Sequence, residues 1–214
     1  MAIGNRQIGW SQESNLLWNI SAQIQKLISV ISKSLAPKYK VYTALLTQSG
    51  DRGNIDTICD GELIVGVTYY INNNVNGDFT NVGAPNNTNG TYFIATGTTP
   101  NSWGLSALCD TLTFVPDAPV VTVLENTIGN IWFTYDNPGY YEINSDGLFI
   151  IDKTWGNSNF VYDLANGIYQ PVFVNVSSPQ GADLPNIIQV RTVGGDYNGD
   201  SLLNNTPIEI RVYN

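Results

Sequence analysis

The chain has 214 residues, enough for one or two modest domains, and carries 9 basic and 18 acidic residues for a net charge of −9, with an isoelectric point near 4.2. That balance argues against binding nucleic acid through its phosphates, which needs clustered Lys and Arg. The lack of any histidine removes the Ser-His-Asp and Cys-His nucleophile systems and most transition-metal sites.

Residues 1–10 read as an extended arm, a kind of terminus that orders only when something ties it down. Residues 11–35 carry the one convincing helical pattern. Leu17, Ile20, Ile24, Leu27 and Ile31 recur at alternating spacings of three and four, the a/d seam of a coiled coil with Leu17, Ile24 and Ile31 at a and Ile20 and Leu27 at d. Ser11 is the expected N-cap and Glu13 lies in the first turn, where the helix dipole favours a negative charge. Lys26 and Lys33 lie toward the other end, and Pro37 stops the helix. Leu16, Ile28 and Val30 widen the stripe beyond two residues per heptad. Packing on its own domain and self-association both fit this pattern, and the mixture of Ile and Leu along the seam tilts self-association toward trimers.

The rest reads as short strands and turns. The first expected strand is Lys38–Thr47, and Gln48-Ser-Gly-Asp-Arg-Gly53 breaks it. Glu62–Ile71 alternates Leu63, Val65, Val67, Tyr69 and Ile71 and reads as the best strand of a middle module. Asp78–Val82 and Thr91–Thr96 are shorter strands, and Trp103 with Leu105–Cys109 closes the module. A second series follows at Val120–Leu124, Asn130–Tyr135, Tyr140–Ile143, Leu148–Ile151, Ile168–Val176, Asn186–Val193 and Thr206–Asn214. Its turns are explicit in Asp136-Asn-Pro-Gly139 and Asn144-Ser-Asp-Gly147, whose residues tolerate positive φ. In the last run Ile208, Ile210 and Val212 face one way, and Pro207 fits a strand start.

This pattern predicts a mainly β protein: an amphipathic coiled-coil helix, then an antiparallel β-sandwich-like domain carrying a small inserted β-module. Lys38–Thr47 has no obvious partner within the middle module. The expected sandwich domain is therefore split, residues 38–50 and 117–214, with residues 51–116 inserted.

Chemistry is sparse. Two buried thiols are expected at Cys59 and Cys109, a bond between them being the alternative. Asp196-Tyr-Asn-Gly-Asp200 begins like a calcium loop, but Gly199 falls at its fourth position and Pro207 stands where the bidentate Glu belongs, so a turn is expected. Asp110, Asp117, Asp136, Asp163 and Asp183 mostly adjoin Gly, Pro or Asn, and Asx-turn capping explains them without glycoside hydrolysis. Trp103, Trp132, Tyr140, Tyr141 and Trp155 are either stacking platforms for sugar rings or parts of an aromatic core, the core being the default. No transmembrane span or secretory signal is expected. Neither cofactor nor metal is expected, and no catalytic residue.

Ile8-Gly-Trp-Ser-Gln-Glu-Ser-Asn-Leu-Leu-Trp-Asn-Ile20 resembles the N-terminal segment of tailed-bacteriophage virion proteins. Lys40–Gly50, Val123–Asn130 and Thr206–Asn214 look like the framework of a β-domain common in phage structural proteins. Gly66–Ile71, Gly77–Ala84 and Thr91–Pro100 resemble a module that recurs in phage fibres. The resemblance touches about half of the chain and implies a head fibre or capsid decoration protein of the crAss-like kind, on the surface of the phage particle. It implies an oligomer, expected to be a homotrimer joined through Leu17, Ile20, Ile24, Leu27 and Ile31. Capsid anchoring falls to Arg6, Ile8 and Trp10, and host-surface glycans are the candidate ligand. A monomeric carbohydrate-binding module or adhesin and a polysaccharide depolymerase are the alternatives.

Overall fold

A computed structural model describes residues 11–35, 38–48, 57–104, 111–114, 117–158, 160–163, 168–177, 187–192 and 202–214. It is mainly β, with antiparallel sheets and one N-terminal helix. The chain divides into two compact units, residues 1–38 and 39–214.

In the first unit the helix α1 spans Gln12–Leu35. It starts where the sequence places the cap. The Ser11 hydroxyl accepts the Ser14 N–H at 3.3 Å and the Ser11 carbonyl accepts the Asn15 N–H at 3.2 Å, satisfying donors that a helix start leaves without partners. Lys33 lies in the last turn, where the dipole prefers a cation.

The strands of the second unit begin with β1 (Tyr39–Thr47), β2 (Thr57–Ile58), β3 (Thr68–Asn73), β4 (Tyr92–Ile94) and β5 (Thr111–Phe114). They continue with β6 (Val120–Asn126), β7 (Ile131–Asn137), β8 (Tyr140–Ser145) and β9 (Thr154–Ser158), then β10 (Phe160–Asp163), β11 (Ile168–Ser177), β12 (Ile187–Thr192) and β13 (Thr206–Tyr213). They pair into sheets of order β6-β1-β13-β9, β10-β11-β12-β8-β7 and β2-β5-β3-β4. The first strand pairs with the last, from Tyr39 opposite Tyr213 to Leu46 opposite Thr206, and on its other side with β6. Its ladder thus joins residues far apart in the chain and none of β2–β5.

Alternation decides which face of each strand is buried. Tyr42, Ala44 and Leu46 from β1, and Ile208, Ile210 and Val212 from β13, belong to one hydrophobic cluster. Phe133 of β7, Tyr141 and Ile143 of β8, and Ile188 and Val190 of β12 belong to the same cluster. At Gly156 of β9 an added Cβ would stand 2.5 Å from Val174 Cγ1 of β11, so glycine is what permits that approach.

Strands β2–β5 surround a separate core that includes Leu63, Tyr69, Ile71, Phe79, Phe93 and Leu112. Strand content is low there, and side-chain amides take over the hydrogen bonding. The Asn74 carbonyl oxygen accepts the Gly77 N–H at 2.8 Å while its amino group donates to the Asn87 carbonyl at 2.8 Å. The Asn87 side chain then accepts the Phe79 N–H at 2.9 Å. Asp78 is the hub. Its carboxylate accepts the Thr80 hydroxyl at 2.6 Å, the Asn101 amino group at 2.8 Å, the Thr80 N–H at 3.0 Å and the Asn87 amino group at 3.1 Å. These donors, the Thr80 hydroxyl first, hold the Asp78 carboxyl well below the usual carboxylate range.

Several sequence expectations change. Only the second half of Glu62–Ile71 is strand: Gly66 turns the chain at φ 86°, and its carbonyl accepts the Val121 N–H at 2.9 Å. A Cβ at Gly66 would fall 2.5 Å from the Val121 carbonyl oxygen. The expected strand Asp78–Val82 is a 3-10 turn at Thr80–Val82, because Asp78 caps the backbone two residues on. Leu148–Ile151 is likewise not strand, while Thr154–Ser158 is. Cys59 is disulfide-bonded and exposed rather than a buried thiol. The sequence's other cysteine, Cys109, lies outside the described residues, as do Leu105–Asp110, Asp183 and Asp196–Asp200.

Two buried tyrosines of the larger core provide a paired test. The Tyr141 hydroxyl donates to Gln48 Oε1, whereas the Tyr42 hydroxyl is buried with no partner. Tyr141→Phe is expected to lower stability by about 1–2 kcal/mol, and Tyr42→Phe to leave it unchanged or raise it by up to about 1 kcal/mol, read from urea unfolding midpoints. The Asp78 hub predicts a pH effect. A carboxyl whose folded pKa is depressed stabilises fully above its unfolded value, about 3.9, and loses that contribution as pH falls toward the folded value. The stability margin of the wild type over Asp78→Asn is therefore expected to shrink steadily from about pH 5 toward pH 2. A constant margin in thermal melts across that range would disprove the assignment.

Candidate functional site

Two surfaces stand out, one in each unit. On α1, successive residues rotate by about 100°, which gathers Leu16, Leu17, Ile20, Ile24, Leu27, Ile28, Val30 and Ile31 into an arc of roughly 160°. The five seam residues are between 45 and 67% exposed. Leu16, Ile28 and Val30 flank them at 52 to 64%, and polar residues fill most of the opposite side. Of the large apolar residues, Trp18, at 56% exposed, stands apart from the stripe. Arg6, Ile8 and Trp10 lie outside the described residues.

The second surface is a cleft of about 700 Å³ in the 39–214 unit. One wall is the turn from Asn86 to Tyr92. The other is Asn130 and Trp132 with Asn144–Gly147, the end of β8 and the turn that leaves it. Strand register explains this second wall. Trp132 pairs with Asn144 across the β7–β8 ladder, so both project from one face while Ile131, Phe133 and Ile143 are buried on the other.

The two walls are tied together. The Asn130 amino group donates to the Tyr92 carbonyl at 3.0 Å and reaches Asp146 Oδ2 at 3.4 Å, and the Phe133 N–H approaches the Thr68 hydroxyl at 3.4 Å. The rings of Tyr92 and Trp132 lie 5.5 Å apart at an interplanar angle of 10°, and Tyr70 leans on Tyr92 at 4.6 Å. Burial first, and the Tyr70 phenol second, push the Tyr92 hydroxyl pKa up, so Tyr92 stays neutral. The polar side chains are partly committed. Asn86 uses its carbonyl oxygen to accept the Thr88 N–H at 2.9 Å and the Thr91 hydroxyl at 2.7 Å. Asn144 uses its amino group to donate to the Thr134 hydroxyl at 3.0 Å.

Of the five aromatic residues singled out in the sequence, the structure brings one to this cleft. Tyr141 is in the core. Trp103 packs edge-on against Phe79 and donates its indole N–H to the Gly61 carbonyl at 3.1 Å. Arg191 covers the ring of Tyr140, and Arg211 covers those of Trp155 and Tyr39. Arg211 is itself bound to Glu209 at 2.5 Å, which occupies the face of Trp155. Trp132 alone of the five combines a partly exposed ring with a concave polar setting.

Sequence reasoning missed Tyr92, Asn130 and Asp146 as neighbours of Trp132. The signal was present only as turn chemistry: Asn144-Ser-Asp-Gly147 was explained fully by its Gly147, at φ 72°. Among the described carboxylates Asp117 occupies a turn at φ 59°, and no group of three or more metal-ligating residues exists among the described residues. No described helix is long and apolar enough to cross a membrane. Comparison of the chain with protein-family models, with curated proteins and with solved structures finds no match.

Proposed function

We propose that this chain is a structural, non-catalytic component of a tailed-phage particle, a head fibre or capsid decoration that assembles as a homotrimer. In this reading α1 forms the coiled-coil core through Leu17, Ile20, Ile24, Leu27 and Ile31. The N-terminal arm, with Arg6, Ile8 and Trp10, docks on the capsid. The domain formed by residues 38–50 and 117–214 is a β-sandwich, carrying residues 51–116 as an inserted module, and it displays a surface for host glycans. The phage assignment rests on the resemblance of the Ile8–Ile20 segment and of the framework strands.

The observation that carries the assembly is the exposed stripe of α1. A helix with so wide an apolar face is stable in water only when that face is covered. The arc of roughly 160° exceeds the narrow two-residue seam of a dimer, and Leu17 at a with Ile20 at d is a pair that shifts preference beyond two strands. The pairing of β1 with β13 and β6, and with none of β2–β5, supports the split domain.

A monomeric carbohydrate-binding module is the second reading, favoured by the Tyr92–Trp132 cleft. Molar mass by light scattering separates the two. The wild type is expected at three times the 23.4 kDa chain mass, and Ile24→Asp with Leu27→Asp at the mass of one chain with unchanged β-sheet circular dichroism. A monomeric wild type would overturn the assembly, and an unchanged mass in the double variant would overturn the seam.

A further inference from the structure

We infer that the cleft between the Asn86–Tyr92 turn and the β7–β8 ladder binds a neutral oligosaccharide, with Trp132, stacked on Tyr92, as the platform. The inference deepens the attachment role proposed above and rests on that reading for its biological purpose, but not for its chemistry.

A pyranose ring presents a face of C–H groups rimmed by hydroxyls that both donate and accept. Its complement is an aromatic surface beside neutral amides and an acceptor. The indole of Trp132, stacked near-parallel on Tyr92 and on the lining of the cleft, supplies the surface, and its electron-rich ring face attracts the polarised C–H bonds. The hydroxyl partners are those that the internal hydrogen bonds leave over. Asn86 spends its carbonyl oxygen on its own turn and retains its amino group as a donor. Asn144 spends its amino group on Thr134 and retains its carbonyl oxygen as an acceptor. Asp146 adds a carboxylate that meets the Asn130 amino group only at 3.4 Å, and Thr88 adds a hydroxyl on the lining.

Charge selects among ligand classes. Among the described residues of the lining the one charged group is the Asp146 carboxylate, with no Lys or Arg among them, in a chain of net charge −9. Phosphorylated, sulfated and nucleic acid ligands are repelled. A wholly apolar ligand would strand the amides without partners. The volume of about 700 Å³ falls within the usual span of small-molecule sites, roughly 300–1,000 Å³, and accepts more than one sugar ring. Because each sugar hydroxyl exchanges bonds to water for bonds to protein, affinity is modest, on the order of 10⁻⁴ to 10⁻³ M.

The test uses the full chain in isothermal titration and saturation-transfer NMR against maltohexaose, cellohexaose, mannohexaose and chitohexaose, with a sulfated heparin oligosaccharide as the anionic probe. At least one neutral hexasaccharide is expected to bind and the sulfated one not to. Trp132→Ala is expected to weaken binding by about tenfold or more, Trp132→Phe to retain most of it, and Asn144→Ala to weaken it several-fold. Because Trp132 is half-buried, thermal melts accompany each variant, and Asn144→Ala carries the test if Trp132→Ala does not fold. No binding of any neutral probe up to about 10 mM, or full binding by folded variants, would overturn the site. The molar mass of the same samples keeps the two readings apart. A trimer that binds none of these sugars removes the cleft alone, and a monomer that binds one removes the fibre assembly alone.

Discussion

The pairing of β1 with β13 is the constraint on which the rest of the second unit depends. Eight consecutive residue pairs, from Tyr39–Tyr213 to Leu46–Thr206, close the unit by joining its first strand to its last. With β6 on the other flank of β1, both of its edges are occupied, so no residue between Thr47 and Val120 can join that sheet through β1. The intervening chain therefore builds its own core around Leu63, Ile71, Phe79 and Phe93. It returns at Gly66, whose missing Cβ lets its carbonyl accept the Val121 N–H. The contact places the turn at Gly66 against β6, the outer strand of the β6-β1-β13-β9 sheet.

The small module meets this demand with few strand hydrogen bonds. Its ladders are short: β3 pairs with β4 over three residues and β2 with β5 over two. Backbone groups that no ladder satisfies still need partners, and the side chains of Asn74, Asn81 and Asn87 supply them as substitutes for a neighbouring strand. Asp78 organises these amides because an ionised carboxylate accepts several donors at once. This explains a composition that is polar yet only 13% charged. The same chemistry makes the cleft, since an amide that closes a turn with one end presents its other end outward.

The regular elements were legible where one physical signal governed them. The three-four spacing of α1, its Ser11 cap and the alternation of Ile208, Ile210 and Val212 all depend on neighbours within a few residues. Legibility failed where a local pattern met a distant demand. Leu63, Val65 and Val67 recur at every second position as on one face of a strand, yet the close approach of Gly66 to Val121 bends the run and leaves Val65 exposed. Asp78–Val82 has strand-like residues, but the Asp78 carboxylate binds its own backbone first. Thr154–Ser158 carries one large apolar side chain, Trp155, and became a strand only because β13 offers an edge. The cleft lay further from reach, because Tyr92 and Trp132 stand 40 positions apart in the sequence and meet only where β4 packs against β7. A turn motif such as Asn144–Gly147 reads the same whether its side chains are idle or facing a ligand.

The helix stripe and the cleft pose opposite physical problems. The cleft is content in water, since its amides and carboxylate are hydrated when empty, so it suits a ligand that comes and goes. The stripe is not. Covering the exposed half of each side chain recovers on the order of 1 kcal/mol, and α1 carries eight of them on the stripe. A pair of helices would cover less of the arc and leave apolar surface in water, which is why the width of the stripe, more than its existence, argues for a third chain. Weak sites displayed together on one assembly then gain by multivalency what each lacks alone, so the proposed trimer and the modest affinity expected of the cleft make sense of one another.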